Sequence, residues 1–445
     1  MGHLWVAFCF PWCAGARLRQ ANVCHRRVEF VKLTALTQTF ASENSLMNQD
    51  DSDSERSLAT IAVHGGERSE EQQFGAVVSP VFHASTFALQ DFDEMRRYAR
   101  GELPQAYFYS RYANPTVAEA ERKIAELEGA EACVVTSSGS AATFCAIASL
   151  CSAGDELIAT DSIYGGTVKV LTRVFNRFGL RSRFIPINEI PRLPELAGEK
   201  SRVFWFESPT NPLNRIVDLQ LAADASRKAG MFSIIDNTFA SPVLQQPIAH
   251  GVDGVMHSAT KYLGGHSDLT AGAIVGTRDF IDRVRQICMM VGATLDPAAA
   301  YLLSRGMKTV ELRVSTSSQN ADLLARALVS HPKVARVYYP GLEQDPGHSL
   351  AKRQMKNFGG VVTIDVAGGE TQVEKLFNSL RLVRVATSLG GVESLASYPL
   401  YSSHASCSPE QLQAAGVSSA TVRFALGIEA AADIIADVTQ ALDLM

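Results

Sequence analysis

The strongest constraint on the fold is a run, from about residue 114 to residue 276, in which short apolar segments alternate with helical stretches. Strands in this run are predicted at Ala132–Thr136, Glu156–Thr160, Val203–Phe206, Phe232–Ile235 and Gly254–Met256, and helices at Val117–Glu128, Ala141–Leu150 and Leu219–Ala229. Alternating β and α elements of these lengths predict an open, mostly parallel sheet with helices on both faces. Because ligands bind beyond the carboxyl ends of the strands in such sheets, we expect the functional residues there.

A different order of elements follows a long helical stretch at Val310–Ser330 and predicts a second, smaller α/β domain. Its predicted strands are Val334–Tyr339, Val361–Val366, Leu382–Ala386 and Thr421–Leu426, and its helices include Glu370–Leu380 and Ala430–Leu444. Another helix is expected near Ser408, which suits the N-cap, with Pro409 in the first turn and Gln411 closing a capping box. We therefore predict an extension at 1–46, an N-terminal arm at 47–112, a main sheet domain at 113–310 and a C-terminal domain at 311–445.

The first 46 residues have several interpretations. Leu4–Phe10 is apolar and aromatic, but it lacks the preceding Lys or Arg of a secretory signal. Five basic residues against one acidic residue between Arg17 and Lys32 faintly resemble an organelle transit peptide. Alternatively, translation starts at Met47, where the composition becomes polar. We interpret this extension as a mis-set start or a targeting segment.

Composition excludes several classes of partner. The 41 basic and 46 acidic side chains nearly balance, for a net charge of −5, which gives no electrostatic reason to bind nucleic acid or an anionic membrane. No apolar run is long enough to cross a bilayer as a helix. The eight cysteines include no Cys-x-x-Cys pair and no Cys/His cluster with zinc spacing. This predicts a cytoplasmic protein in a reducing compartment, without a metal site.

One lysine, Lys261, directly follows a predicted buried strand and stands among small hydroxyl residues. Burial at such a place lowers the pKa of the amine and makes it a usable nucleophile toward an aldehyde. Ser258 and Thr260 supply hydroxyls that can hold a phosphate nearby. A lone lysine in a loop is normally a surface residue, but features at other strand ends change that interpretation.

Two of these features concern charge. Asp236 ends an apolar strand, and a buried carboxylate there needs a cationic partner, for which a protonated pyridine nitrogen is one candidate and a helix-capping role the alternative. The segment Thr136–Ala142 joins a strand to a helix through small residues, so its backbone N–H groups can bind a phosphate. This segment matches neither the dinucleotide glycine pattern nor the Gly-Lys-Ser/Thr loop.

Three more residues have both a functional and a structural interpretation. Tyr164 follows the next strand and either stacks on a flat heterocycle or packs in the core. Arg111 stands among four aromatic residues in the segment 107–115, as an oligomer contact or a phosphate ligand. Arg423 lies between apolar neighbours in a predicted strand, where a guanidinium needs a carboxylate from a ligand or from a structural salt bridge.

A Schiff-base lysine, a pyridinium carboxylate, a phosphate-binding helix start and a stacking aromatic together describe a pyridoxal-phosphate site. The sequence also resembles the Cys/Met-metabolism, or transsulfuration, family of pyridoxal-phosphate-dependent enzymes from about Ser57 to the C-terminus. The motifs that carry the resemblance are Tyr109-Ser-Arg111 with Asn114-Pro115, Glu207–Pro212, Ser258–Lys261, Gly264–Asp268, and Ser388–Gly391 with Glu393–Leu395. The resemblance implies the fold-type-I architecture, with the cofactor bound in the domain at 113–310.

The resemblance also implies a role for each matched residue. Lys261 would hold the cofactor as a Schiff base and shuttle protons, Asp236 would pair with the pyridine nitrogen, and Tyr164 would stack on the ring and assist proton transfer. The implied phosphate ligands are Ser138, Gly139, Ser140, Ser258 and Thr260, joined from a neighbouring subunit by Tyr109 and Arg111. Asn211, Ser388 and Arg423 would surround the amino-acid carboxylate. The shared site implies a homodimer as the minimum unit and, as is usual in the family, a homotetramer.

The implied reaction is γ-replacement or γ-elimination on sulfur amino acids or homoserine esters, as in cystathionine γ-synthase and γ-lyase. The residue Thr387 stands where family members that handle cystathionine often have an acid, which favours an O-acyl-homoserine sulfhydrylase or a methionine γ-lyase. Against the latter, Gly166 stands where methionine γ-lyases usually have cysteine, and the segment 388–395 is more typical of the cystathionine branches.

Two further alternatives stay open at this point. A cystathionine β-lyase is the alternative within the family. A nucleotide-binding oxidoreductase on a similar sheet is the alternative from another class, and the absence of the dinucleotide glycine pattern argues against it.

Overall fold

The computed structural model describes residues 56–68, 75–103, 107–405 and 407–445. The interpretations of residues 1–46 lie outside this part of the chain. The α-helices are α1 Leu58–His64, α2 Phe92–Ala99, α3 Pro115–Glu128, α4 Gly139–Ala148, α5 Gly165–Lys169, α6 Leu193–Leu196, α7 Leu219–Lys228, α8 Ser241–Leu244, α9 Arg278–Val291, α10 Pro297–Met307, α11 Val310–Leu328, α12 His348–Gln354, α13 Glu370–Ser379, α14 Pro409–Ala415 and α15 Ala431–Asp443. Within the described ranges, none of these helices is both long and apolar enough to cross a membrane.

The larger sheet has seven strands in the order β1-β7-β6-β5-β4-β2-β3. Its strands are β1 Ala132–Thr136, β2 Glu156–Thr160, β3 Arg181–Ile185, β4 Ser201–Glu207, β5 Phe232–Asp236, β6 Gly254–His257 and β7 Gly272–Gly276. Strand β7 is antiparallel to both of its neighbours, and the remaining pairs are parallel. The predicted mostly parallel sheet is confirmed.

Helices cover both faces of this sheet. Alternate side chains of each buried strand point to opposite sides, so both faces are apolar and each packs against helices. Ile235 and Val255 pack into one apolar core, and Trp205, Ile234 and Met256 pack into another with residues of α4 and α9. Glu207 and Asp236 each follow a residue of this second core by two positions. Both carboxyl groups therefore point to the α4 face at the carboxyl edge of the sheet.

Two strands of this sheet were not predicted. Strand β3 lies at the edge and has two arginines and a serine in five residues, so it lacks a continuous apolar run. Strand β7 follows β6 without an intervening helix and runs antiparallel, so it does not fit the alternation of strand and helix. The predicted helix at Ala141–Leu150 begins two residues earlier, because the Ser138 hydroxyl accepts from the Ala141 N–H and caps α4 at Gly139.

The smaller sheet has five strands in the order β10-β11-β12-β9-β8. They are β8 Val334–Tyr338, β9 Val361–Val366, β10 Arg384–Val385, β11 Leu395–Ser397 and β12 Thr421–Ala425. Residues of α11, α13 and α15 complete its apolar core. The predicted capping box at Ser408 and Gln411 is confirmed, and it begins α14.

One strand of the smaller sheet was predicted too long. The strand expected at Leu382–Ala386 is reduced to Arg384–Val385, because the Asp437 carboxylate accepts from the N–H groups of Arg381, Leu382 and Val383, each at 2.9 Å. These N–H groups are therefore not available to a neighbouring strand. The short strand β11 was missed.

Candidate active site

A cavity of about 370 Å³ opens at the carboxyl edge of the larger sheet and extends to the smaller sheet domain. Most of the residues predicted to carry function line it, namely Ser138, Gly139, Ser140, Tyr164, Asn211, Asp236, Ser258, Thr260, Lys261, Ser388 and Arg423. These residues come from loops after β1, β2, β4, β5 and β6, and from the C-terminal domain. The fold thus brings together side chains that are up to 285 positions apart in the sequence, from Ser138 to Arg423.

Lys261 lies in the loop after β6, and its Nζ donates a hydrogen bond to the Ser388 Oγ at 2.6 Å. Burial and the nearby positive charge of Arg423 lower the pKa of this amine to about 8. A useful fraction of the amine is therefore uncharged near neutral pH. An uncharged amine is the form that attacks an aldehyde.

Two carboxyl groups, Glu207 and Asp236, stand side by side at the ends of the adjacent parallel strands β4 and β5. Burial raises the pKa of both, and the neighbouring Asp236 raises that of Glu207 further. Asp236 accepts a hydrogen bond from the Thr238 N–H at 3.0 Å. A buried acid that needs a positive partner fits a pyridinium nitrogen.

The start of α4 forms a cradle of small groups. Its first N–H groups have no partner within the helix, and the Ser138 hydroxyl takes up only that of Ala141, at 3.2 Å. A Cβ on Gly139 would lie 2.9 Å from the Ser258 Cβ, so glycine is needed for this close approach. The resulting cluster of backbone N–H groups and hydroxyls suits a phosphate.

Thr260 lines the cavity, but its hydroxyl donates to the Ala271 carbonyl at 3.1 Å and accepts from the Ala271 N–H at 3.0 Å. Its single hydroxyl hydrogen is therefore used within the chain. Ser258 differs, because its backbone N–H is held by the Thr238 hydroxyl at 2.8 Å. This contact fixes the backbone of Ser258 and leaves its side-chain hydroxyl available for a phosphate oxygen.

Arg423 lies in β12 and is only 5% exposed. Its guanidinium donates to the Asn211 Oδ1 at 2.9 Å and to the Ser388 carbonyl at 2.9 Å, while its Nε is buried without a partner. Burial lowers its pKa to about 10. Among the described residues no carboxylate pairs with it, so the structural salt bridge considered for Arg423 is not formed and a ligand carboxylate fits instead.

The residue Ser388 contacts both cationic side chains, since its Oγ accepts from Lys261 and its carbonyl accepts from Arg423. Its φ angle is 98°, in the region that favours glycine. Non-glycine residues hold such a conformation only where their surroundings enforce it, and these positions concentrate at functional sites. In Ser388 this conformation coincides with hydrogen bonds to both cationic side chains.

Tyr109 and Arg111 do not line the cavity of their own chain. The Arg111 guanidinium donates to the Met289 carbonyl at 2.6 Å and lies over the rings of Tyr109 and Tyr112, at 5.5 Å and 4.8 Å from their centroids. Their role as phosphate ligands of a neighbouring subunit stays a prediction.

Sequence reasoning gave no role to three residues of this site. Glu207 was recognised only as part of a motif, although a buried acid at the end of an apolar strand is the same signal that identified Asp236. Thr238 fixes both Asp236 and Ser258, and Phe239 lies 5.8 Å from the Arg423 guanidinium, measured to the ring centroid. The last two follow Asp236 in the sequence, and only the fold reveals their contacts.

These observations fit pyridoxal phosphate as a group. The cavity contains an amine with a lowered pKa, a buried acid that forms no salt bridge with a lysine or arginine of the described chain, and a helix start that suits a phosphate. The Arg423 guanidinium in the same cavity, whose Nε has no partner, suits a substrate carboxylate.

Comparison with known proteins agrees with this chemistry. Residues 59–443 match the family described as Cys/Met metabolism PLP-dependent enzyme. The chain is 40% identical to the cystathionine γ-lyase of Bacillus subtilis, over 86% of this chain and 98% of that protein. It is 38% identical to the L-methionine γ-lyase of Fusobacterium nucleatum subsp. polymorphum, over 87% and 98% of the two chains.

Among solved structures, the cystathionine γ-synthase of Xanthomonas oryzae pv. oryzae in complex with cystathionine superposes with a TM-score of 0.82 at 34% identity, covering 87% of this chain and 98% of that one. The same enzyme in complex with aminoacrylate and cysteine gives the same TM-score. The family match, the relatives and the architecture agree, and this chain belongs to the pyridoxal-phosphate-dependent enzymes of Cys/Met metabolism.

Proposed function

We propose that this enzyme catalyses γ-elimination or γ-replacement on sulfur amino acids or homoserine esters. The observation that carries the proposal is the buried, partly unpaired guanidinium of Arg423 in the same cavity as the Lys261 amine. The planar guanidinium of Arg423 would bind the α-carboxylate of an amino acid, and this would place the α-carbon beside the Lys261 amine. Relatives that act on cystathionine and on methionine support this reaction class.

Pyridoxal phosphate, when bound, withdraws electrons from the substrate and so stabilises negative charge at its α-carbon. The residues of the chain would supply binding and proton transfer. Lys261 would hold the cofactor and then accept and return protons, with Ser388 orienting its Nζ. Asp236 would hold a proton on the ring nitrogen, and Tyr164 would cover the ring. Arg423 and Asn211 would fix the carboxylate.

We further propose that the γ-substituent of the preferred substrate carries no charge. The ionisable side chains that line the cavity in the described chain are Lys261, Arg423, Asp236, Glu207 and Tyr164. Four of them have a role at the cofactor or the α-carboxylate in this proposal, and the fifth, Glu207, is buried beside Asp236 at the end of β4. The remaining polar groups near the small domain are the hydroxyls of Thr387, Ser402 and Ser403. The second amino acid group of cystathionine would find no charged partner among them.

A product assay tests both parts of the proposal. Purified enzyme would be given methionine, homocysteine, cystathionine, and acetyl- or succinyl-homoserine with cysteine or sulfide. We expect 2-oxobutanoate or a new thioether, with the highest kcat/KM for an uncharged γ-substituent. Pyruvate from cystathionine would instead establish β-elimination and refute the proposed reaction. A preference for cystathionine with 2-oxobutanoate as product would refute only the substrate assignment.

We also propose that the site is shared between two subunits, with Tyr109 and Arg111 completing the phosphate cradle of the neighbour. The position of both residues outside their own cavity supports this. Mixing inactive Arg111→Ala and Lys261→Ala subunits should restore part of the activity, because a mixed dimer has one intact site. Verified mixed dimers without activity would refute a shared site.

A further inference from the structure

A buried acid that the mechanism above leaves unused stands next to the proposed pyridine partner. Glu207 ends β4, is 3% exposed, and lies in register with Asp236 on the next strand, with both side chains lining the cavity. Two adjacent carboxylates out of water repel each other, so the pair holds at least one proton. Burial and the charge of Asp236 raise the pKa of Glu207 well above its ordinary value.

The contacts of Glu207 lead to Tyr164. The Tyr164 backbone N–H donates to the Glu207 Oε1 at 2.5 Å, which ties the loop after β2 to the end of β4. The two residues that follow Tyr164 are glycines, which allow its ring and the Ser403 carbonyl to approach the backbone closely. A Cβ on Gly166 would lie 2.2 Å from the Tyr164 ring, and one on Gly165 would lie 2.0 Å from the Ser403 carbonyl.

We propose that Glu207 is a positioning residue which, as a neutral carboxylic acid, holds the backbone of Tyr164 and thereby fixes its ring over the cofactor. This inference rests on the proposed role of Tyr164. A neutral acid suits the position for two reasons. A backbone N–H needs only a carbonyl-type acceptor, and Asp236 keeps its negative charge for the ring nitrogen when Glu207 carries the proton.

The other charged groups that line the cavity are consistent with a neutral Glu207 and a charged Asp236. Lys261 and Arg423 are the cationic side chains among the described lining residues, and their hydrogen bonds go to Ser388 and Asn211 rather than to Glu207. Among the described residues, Glu207 therefore has no ion-pair partner, and only the backbone N–H groups of Tyr164 and Asn211 favour its charged form. The hydroxyl of Tyr164 and the carboxyl of Asp236 are the remaining ionisable groups that line the same cavity.

The first test compares Glu207→Gln, which keeps a neutral carbonyl acceptor, with Glu207→Leu, which keeps the size and loses the acceptor. Apo protein would be titrated with pyridoxal phosphate to obtain the dissociation constant. Glu207→Gln should bind within about threefold of the native chain, and Glu207→Leu about tenfold more weakly, as expected for one lost hydrogen bond to a buried acceptor. Equal losses in both variants would overturn the neutral-acceptor role.

A double-mutant cycle tests whether Glu207 acts through the tyrosine ring. In a Tyr164→Ala background there is no ring to position, so Glu207→Leu should change the dissociation constant less than about twofold. An undiminished effect of Glu207→Leu in that background would refute the positioning role.

Infrared spectroscopy of apo and cofactor-loaded protein tests the protonation state without any measurement of activity. A C=O stretch from a protonated carboxyl group should be present in the native chain and absent from Glu207→Gln. A band that persists in Glu207→Gln and disappears in Asp236→Asn would assign the proton to Asp236 and overturn the proposal. Because this readout needs no substrate, a failed reaction assignment and a failed inference can be told apart.

Discussion

Two lysines of the described chain, one buried and one half-buried, have pKa values lowered to about 8, but their surroundings differ. Lys123 lies on α3 and is fully buried, and its Nζ donates to the carbonyls of Ala62 at 3.3 Å and Val63 at 3.1 Å. Lys261 is half-buried in a cavity, donates to a single hydroxyl, and has the positive Arg423 as its charged neighbour.

The neighbours of the two amines explain the difference in their roles. Burial and the positive charge of Lys308 lower the pKa of Lys123, but the carboxylates of Glu119, Glu67 and Glu126 favour its charged form. The carbonyls it binds belong to the last turn of α1, where they have no helical donors. Lys123 thus holds α1 against α3. Lys261 has no carboxylate that favours its charged form. A lowered amine pKa alone does not identify a catalytic lysine. A catalytic lysine also has an amine that faces a cavity and that has donors without a partner in the protein.

The largest effect in this comparison is expected when Lys261 is replaced by methionine. Lys261→Met should lower kcat/KM by about 10⁴-fold or more, because the covalent attachment and the proton shuttle are both lost. The free energy of unfolding of the apo protein should not decrease. Borohydride reduction followed by peptide mapping should find the cofactor on Lys261 in the native chain only. Residual turnover above a hundredth of the native rate would contradict the assignment.

The positive neighbour of Lys261 is the next target. Arg423→Lys keeps a charge but loses the planar fork, so we expect KM for the amino acid to rise about 100-fold with a smaller change in kcat. Arg326→Lys, at an exposed helix pair with Asp322, is a matched control that should leave KM unchanged. An unchanged KM in Arg423→Lys would show that the carboxylate binds elsewhere.

The structural lysine should behave in the opposite way. Lys123→Met leaves two carbonyls of α1 without donors, and we expect the free energy of unfolding to fall by about 2 kcal/mol. The kcat/KM per folded molecule should stay within about twofold of the native value. Urea unfolding and active-site titration measure the two quantities. Loss of activity without loss of stability would mean that Lys123 acts at the site, and would contradict its assignment as a structural lysine.

The smallest expected effect is a difference between the two lysine amines in the pH dependence of their chemical labelling. As the pH falls through about 8, a growing fraction of the Lys261 amine is protonated and unreactive, so labelling of apo protein by a small aldehyde and a reductant should rise with pH through a midpoint near pH 8. Lys123 should stay unlabelled while the chain is folded. Arg423→Gln removes a repelling charge and should move the Lys261 midpoint upward by about one pH unit. A midpoint that stays near pH 8 in this variant would show that Arg423 does not contribute and that burial alone lowers the pKa of Lys261.

The sequence predicted most of the fold because the central strands are apolar, short and separated by helices. It failed where tertiary contacts decide the structure. Strand β7 inserts antiparallel between β1 and β6, and the N–H groups of residues 381–383 bind Asp437, which lies more than fifty positions away. No local pattern contains that information.

The site was predictable in its chemistry and less so in its contacts. Lys261, Asp236 and Arg423 each stand out as a charged residue in or beside an apolar strand. The link between Ser388 and Lys261 spans 127 positions and depends on the packing of the small domain. The hydrogen bond from Tyr164 to Glu207 likewise joins loops of two different strands.

The sequence by itself determined the alternating architecture, the family and the types of residue that a pyridoxal-phosphate site needs, because strand ends and motifs are local. The tertiary structure alone decided which of two lysines with a lowered pKa faces a cavity and which caps a helix, and that a second acid lies beside Asp236. Burial, access and hydrogen-bond partners are set by residues distant in the chain, and these determine what a given side chain can do.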